Sequence, residues 1–278
     1  GLLASRYPIL ASPNTQRYLG ERGKILEDKI GRKVISNDFT IKAIPSKIQF
    51  DGKKLIGNFK IDAEGVIPPD EITLIENGIL KTLLNGRTPT PKIKESNGHQ
   101  RLVLNYRGFG TTTAPGVILF ETSKGISNSK LKKSLIKLAK NEGLDYAIII
   151  RKLEAPNSGI NKLGASSQSR ANSVSKSTYV YKVYVNDGTE ELIRSAEISG
   201  VSMSALKRIV ATSNKQIAYN TLIDKKTRGY YGSNSKYLNG IPASFIIPQA
   251  VLLEELDIEK EKRAVTNKLP IVKNPVGN

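Results

Sequence analysis

The chain has 278 residues, 38% of them hydrophobic and 24% charged, with 43 Lys and Arg against 25 Asp and Glu for a net charge of +18. That balance is too apolar for general disorder, and a compact chain of this length buries roughly three quarters of its unfolded surface without staples. There is no Cys and a single His, His99. Disulfides, thiolate nucleophiles, iron–sulfur clusters and any zinc site drawing two His or a Cys from this chain are therefore excluded. No apolar run approaches the ~20 residues of a membrane-spanning helix, so no integral membrane segment is expected.

The sequence opens Gly1-Leu2-Leu3-Ala4 rather than with Met, as a trimmed or processed chain does. The compartment stays open: soluble, cytoplasmic or exported with a removed signal. Excess charge gathers in residues 194–237, where eight basic groups meet only Glu197 and Asp224. Such a field attracts anions, yet helix-turn-helix and aromatic-platform motifs are missing, so nucleic acid is not the expected partner.

In chain order, Phe39 and Ile41 alternate with polar residues as in a strand, and Asp51-Gly52 offers a tight turn before a further strand at Leu55–Ile61. Asn77-Gly78 between two apolar runs predicts a hairpin over Ile72–Leu84, because that pair accepts the positive φ of a type I′ turn. Arg87–Gln100, with Pro89, Pro91 and Ser96-Asn97-Gly98, reads as a long loop of functional size. Strands follow at Arg101–Asn105 and Gly116–Glu121. Ser127 or Asn128 caps a helix with Leu131, Leu135 and Leu138 on one stripe, lysines on the other face, and Gly143 as its stop. The lysine face reads most simply as solvated surface.

Tyr146–Ile150 has the continuous apolar character of a strand buried on both faces. Residues 155–177, rich in Ser, Asn and Gly, read as a mobile loop. Strands Thr178–Val185 and Glu190–Ser199 join through Asn186-Asp187-Gly188. A short helix is expected after Ser202 with Met203, Leu206, Ile209 and Val210, then a loop at Lys225–Asn239 holding Tyr230 and Tyr231. Ala243–Ile247 is a strand, and Pro248 opens a helical turn over Gln249–Leu256. Strands outnumber helices and pair mostly through hairpins, which predicts an α+β fold of largely antiparallel sheets with a few helices packed on them. Residues 1–260 are expected as one domain and 261–278, with Pro270 and Pro275, as an extended tail.

Several residues carry two readings. His99 is a general base or, more simply, a surface or substrate-contacting group. Asp62 and Glu64, two apart, are paired carboxylates on one strand face or parts of a turn beside Gly65. Asn97-Gly98 cradles a peptide backbone or only turns the chain. Arg101 binds a carboxylate by a bidentate pair or locks the loop onto Asp62 or Glu64. The Arg87–Arg101 loop and the Asp62–Gly65 element together are expected to line the main cleft.

Ile61-Asp62-Ala63-Glu64-Gly65-Val66, then Thr73-Leu74-Ile75-Glu76-Asn77-Gly78-Ile79-Leu80-Lys81, resemble the C-terminal half of the TldD/PmbA family, known as metallopeptidases and as modulators of DNA gyrase. Arg87-Thr88-Pro89, Ser96-Asn97-Gly98-His99-Gln100-Arg101, Glu191–Glu197 and Ser244-Phe245-Ile246-Ile247-Pro248 through Leu256 continue the resemblance in order, from about residue 20 to residue 258. The resemblance implies dimers and, in active members, zinc held by a His-Glu-x-x-x-His helix just before this region plus a Cys near the C-terminus. Neither is found here. The leading expectation is a non-catalytic domain, without zinc of its own, that binds peptide or a partner subunit as a homodimer or heterodimer with a relative. The alternative is the substrate-side half of a zinc peptidase whose metal helix lies upstream of Leu2 or in a partner, and a basic nucleic-acid-binding protein stands third.

Overall fold

The computed structural model describes residues 26–105, 108–153, 176–193, 196–199, 206–223, 227–228, 234–235 and 240–260. Its centre is a six-stranded sheet in the order Gln216–Ile223, Ile241–Pro248, Val117–Thr122, Phe39–Ala43, Ile72–Glu76, Ile79–Leu80. Every neighbouring pair is antiparallel except Ile241–Pro248 with Val117–Thr122. Alternation sets the layers. Phe39, Ile41 and Ala43 are buried along their strand, and Phe39 and Ile41 join Ile72, Leu74, Leu83, Leu84 and Ile118 in the largest apolar cluster. A second cluster of Leu55, Val117 and Ile246 packs with Ala218 and Phe50.

The Asn77-Gly78 hairpin forms as its sequence predicts, with φ of 46° and 80° at the two residues. Its turn is sewn into the core, since Val34 donates to the Gly78 carbonyl and Gly78 donates to Phe39, each at 2.8 Å. Asp51-Gly52 likewise turns the small hairpin Gln49–Phe50 to Lys53–Lys54.

A five-stranded sheet carries Tyr146–Leu153, Lys176–Tyr184, Ala196–Ser199 and Asp257–Lys260, with Glu190–Ile193 also paired to Lys176–Tyr184. The helix Asn128–Asn141 packs on it, capped by Ser127 and burying Leu131 and Ala139. It is the one α-helix described over its whole length, residues 206–207 being helical too within the stretch expected as a short helix, and the fold is α+β. A three-stranded sheet of Val251–Leu253, Ile209–Ser213 and Gly125–Ile126 and the hairpin Gln100–Asn105 to Gly108–Thr113 complete the frame.

Several expectations are corrected. Leu55–Ile61 is turn and coil, pulled inward by fully buried Leu55. Tyr146–Ile150 is an antiparallel edge strand, not one buried on both faces: Ala147 is covered, while Tyr146 is 39% exposed. Ile209 and Val210 lie in a strand, where β-branched side chains and a partner at Val251–Leu253 outweigh their helical spacing. That partner replaces the helical turn expected over Gln249–Leu256. Gly108–Thr113 and Gln216–Ile223 form two further, unexpected strands. Within Lys225–Asn239, Thr227–Arg228 pairs with Asn234–Ser235. The expected cap at Ser202, most of the loop 155–177, Tyr230, Tyr231 and the tail 261–278 lie outside the described residues.

Candidate functional site

The segment between Leu80 and the strand Gln100–Asn105 is shaped by side chains that bond backbone. Asn97 ties its two ends together: Oδ1 accepts from the Asn85 N–H at 2.7 Å, and Nδ2 donates to the Leu83 carbonyl at 2.8 Å. Gly98 donates to Ser96 Oγ at 3.1 Å and is buried against Pro68. Further out, Oε1 of buried Glu27 accepts from the Thr90 hydroxyl at 2.6 Å and the Lys92 N–H at 2.5 Å.

Asp62 and Glu64 lie in a turn, so they do not share a strand face. Asp62 Oδ1 accepts from the Glu64 and Val66 N–H groups at 2.8 Å each, and Oδ2 accepts from the Gln100 N–H at 3.1 Å. Ala63 returns a bond to the Gln100 carbonyl at 2.7 Å. The carboxylate thus pins the Asp62–Val66 turn onto the start of Gln100–Asn105. Glu64 reaches the other end of the loop, its Oε2 accepting from the Arg87 N–H at 2.6 Å.

His99 is fully buried, which corrects its reading as a surface group. Nδ1–H donates to the Asn97 carbonyl at 2.9 Å, and the ring meets Phe59 edge-on at 5.5 Å between centroids. Nε2 is therefore the bare nitrogen, with no hydrogen-bond partner among the described residues. Burial lowers the His99 pKa from 6.5 to about 4; the Asn97 carbonyl opposes the shift, and the Arg101 charge adds to it. At neutral pH the imidazole is uncharged.

Arg101 stacks its guanidinium on Phe59, 4.1 Å from the ring centre, and Nη1 donates to the Gly57 carbonyl at 3.4 Å. Among the described residues it makes no ion pair with Asp62 or Glu64. Burial lowers its pKa from the ordinary arginine value. Phe59, which links His99 to Arg101, is a residue the sequence offers no periodic signal for. Glu27 is hidden in the same way.

One face of this loop borders an open groove of about 630 Å³. Ile30, Pro69, Ile72 and Ile93 give it apolar walls, and Glu71, Lys81, Thr82, Lys92, Lys94, Glu95, Ser96 and Asn97 supply polar ones. Of the six candidate residues only Asn97 lines it. Asp62 and Glu64 serve the turn, Gly98 lies against Pro68, and His99 and Arg101 meet on Phe59 instead. Zinc does not fit these side chains: His99 offers one nitrogen, its bare Nε2, and no group of three His, Cys, Asp or Glu is placed to hold a metal among the described residues.

The profile of the PmbA/TldA metallopeptidase C-terminal domain matches residues 10–260, and the chain belongs to that family. Over 102 residues it is 35% identical to a metalloprotease of Methanothermobacter thermautotrophicus, covering 35% of this chain and 21% of that protein. The fold is similar to TldE from Thermococcus kodakarensis, with TM-score 0.53 and 17% identity over 94% of this chain and 48% of the other. A protein described as a modulator of a DNA gyrase from Thermotoga maritima gives 0.51 and 22%, over 90% and 45%. The chain thus spans about a fifth of the metalloprotease and under half of either solved structure.

Proposed function

We propose that this chain is a non-catalytic TldD/PmbA-type domain that binds an extended peptide or a partner subunit and supplies no zinc ligand of its own. The observation that carries this reading is the state of His99. The only imidazole in the chain is a core residue that offers one nitrogen at most, and no Cys and, among the described residues, no group of three potential ligands accompanies it. Peptide binding draws support from the groove, whose mixed apolar and polar walls suit an extended segment. In this reading the Asn97 side of the loop meets the peptide, and Asp62, Glu64, Gly98, His99 and Arg101 are positioning residues that hold that side in place.

A second reading, the substrate-side half of a zinc peptidase completed by residues outside this chain, is favoured by the similarity to less than half of the solved relatives' length. Metal analysis separates the two. The chain purified alone, and again with a relative that carries the His-Glu-x-x-x-His helix, is assayed for zinc and for chelator-sensitive peptide hydrolysis. No stoichiometric zinc is expected in the chain alone. About one zinc per chain together with its own proteolysis overturns the proposal.

A further inference from the structure

The helix Asn128–Asn141 presents Lys130, Lys133, Lys137 and Lys140 at spacings of three, four and three residues. At 3.6 residues per turn these four fall within about 80° of arc and run about 15 Å along the axis. All four are exposed, and none has an ion-pair partner among the described residues. The helix contains no acid. Lys132 points elsewhere and is paired with Glu190 at 2.8 Å, so the helix does neutralise a lysine where the fold needs it. Ser134 and Asn141 fall on the lysine side and add only neutral hydrogen-bonding groups.

We propose that this face is a contact surface for the phosphate backbone of a nucleic acid, independent of the peptide- or partner-binding role above. Three kinds of polyanion would complement its charge, and its chemistry separates them. A protein interface concentrates its energy in buried aromatic or Arg anchors and is depleted in Lys, and no such anchor lies within this stripe. A membrane-surface helix needs an apolar face free to enter the bilayer, whereas Leu131 and Ala139 are buried against the domain. A phosphate backbone asks only for a row of point charges. About 15 Å of duplex carries roughly nine negative charges, enough to meet every lysine of the stripe. The recognition is of backbone and not of bases, which accounts for the absence of base-reading motifs in the sequence.

The test is fluorescence anisotropy of a labelled 20-base-pair DNA duplex and a single-stranded RNA, titrated with the full chain from low to physiological salt. Four variants changed together, Lys130→Gln, Lys133→Gln, Lys137→Gln and Lys140→Gln, are compared with a charge-matched set at Lys29, Lys33, Lys47 and Lys60. Circular dichroism verifies that both sets keep the fold. The stripe set is expected to lose at least tenfold in affinity at low salt and to lower the slope of log K against log salt by about 3, while the control set changes little. Equal losses in both sets show that the net charge of +18 binds diffusely and overturn the proposal. So does stripe-dependent binding of a poly-glutamate peptide or anionic vesicles with none to nucleic acid.

Discussion

His99 gives the stability of this protein a pH dependence of definite sign. Its folded pKa of about 4 lies below the ordinary 6.5, chiefly because burial disfavours the charged ring. Between those values the unfolded chain binds a proton that the native one refuses, so stability falls as pH drops from 6.5 toward 4 and is untouched above. The loss approaches about 3 kcal/mol at the acid end. Unfolding free energies from urea titrations at pH 7.5 and 4.5 are expected to differ by that order in the wild type and by less in His99→Leu, which cannot titrate. Equal pH dependence in the two proteins refutes the assignment. Asp62 acts at the same scale through its three backbone N–H partners. Asp62→Ala strands those donors and is expected to cost about 2–4 kcal/mol in denaturant unfolding, with Asp62→Asn costing less because one acceptor oxygen remains. Residue types in this region were legible in the sequence and their duties were not. Nothing in the spacing of Asp62, Asn97 and His99 tells that one holds a turn, one spans a loop and one is buried against Phe59.

At the scale of elements, the Ile72–Leu80 hairpin shows why some of the fold reads directly. Asn77-Gly78 encodes its turn locally, and the core then uses that turn. A Cβ at Gly78 would lie 2.6 Å from the Ile35 carbonyl oxygen at a φ of +80°. Gly78→Ala is therefore expected to destabilise by about 2 kcal/mol or more, through backbone strain and through displacement of the Val34–Ser36 segment. Asn77→Gly, by contrast, leaves the turn geometry free and is expected to change stability by under about 1 kcal/mol. A thermal melt of the pair decides whether the turn or its packing dominates. The helix Asn128–Asn141 was equally readable from Ser127 and the leucine stripe. Ile209–Ser213 and Val251–Leu253 were not, because short apolar runs carry no decisive period and each is made a strand by the other. Gly108–Thr113 was hidden for a related reason: its glycines leave no side chain on alternate positions to mark a face.

For the whole molecule, partnership turns on an edge. Gln216–Ile223 borders the six-stranded sheet and holds eight residues with no charge, Pro or Gly. Ile217, Tyr219 and Leu222 are 39%, 45% and 51% exposed. Such an edge is a template for another strand, and here Lys53 Nζ caps it in part by donating to the Ala218 carbonyl at 2.8 Å. That bond also marks which backbone groups face outward. Ser244 N–H is spent on Gly116, so Ser244 and Ile246 bond toward Val117–Thr122 and their pairing partners Asn220 and Ala218 face away from Ile241–Pro248. Leu222 shares that parity. Leu222→Pro thus removes an outward donor and leaves the inner ladder whole. A second copy of the chain can pair antiparallel along this edge, but two copies of charge +18 repel, and salt relieves that repulsion. Light scattering of the wild type is expected to show a dimer that strengthens from about 50 to 300 mM salt, and Leu222→Pro a monomer of unchanged circular dichroism. A complex that forms only with an acidic relative and weakens with salt assigns the edge to a heterodimer instead. A monomer at every salt concentration, with no relative bound, leaves Lys53 as the guard of an edge that nothing occupies.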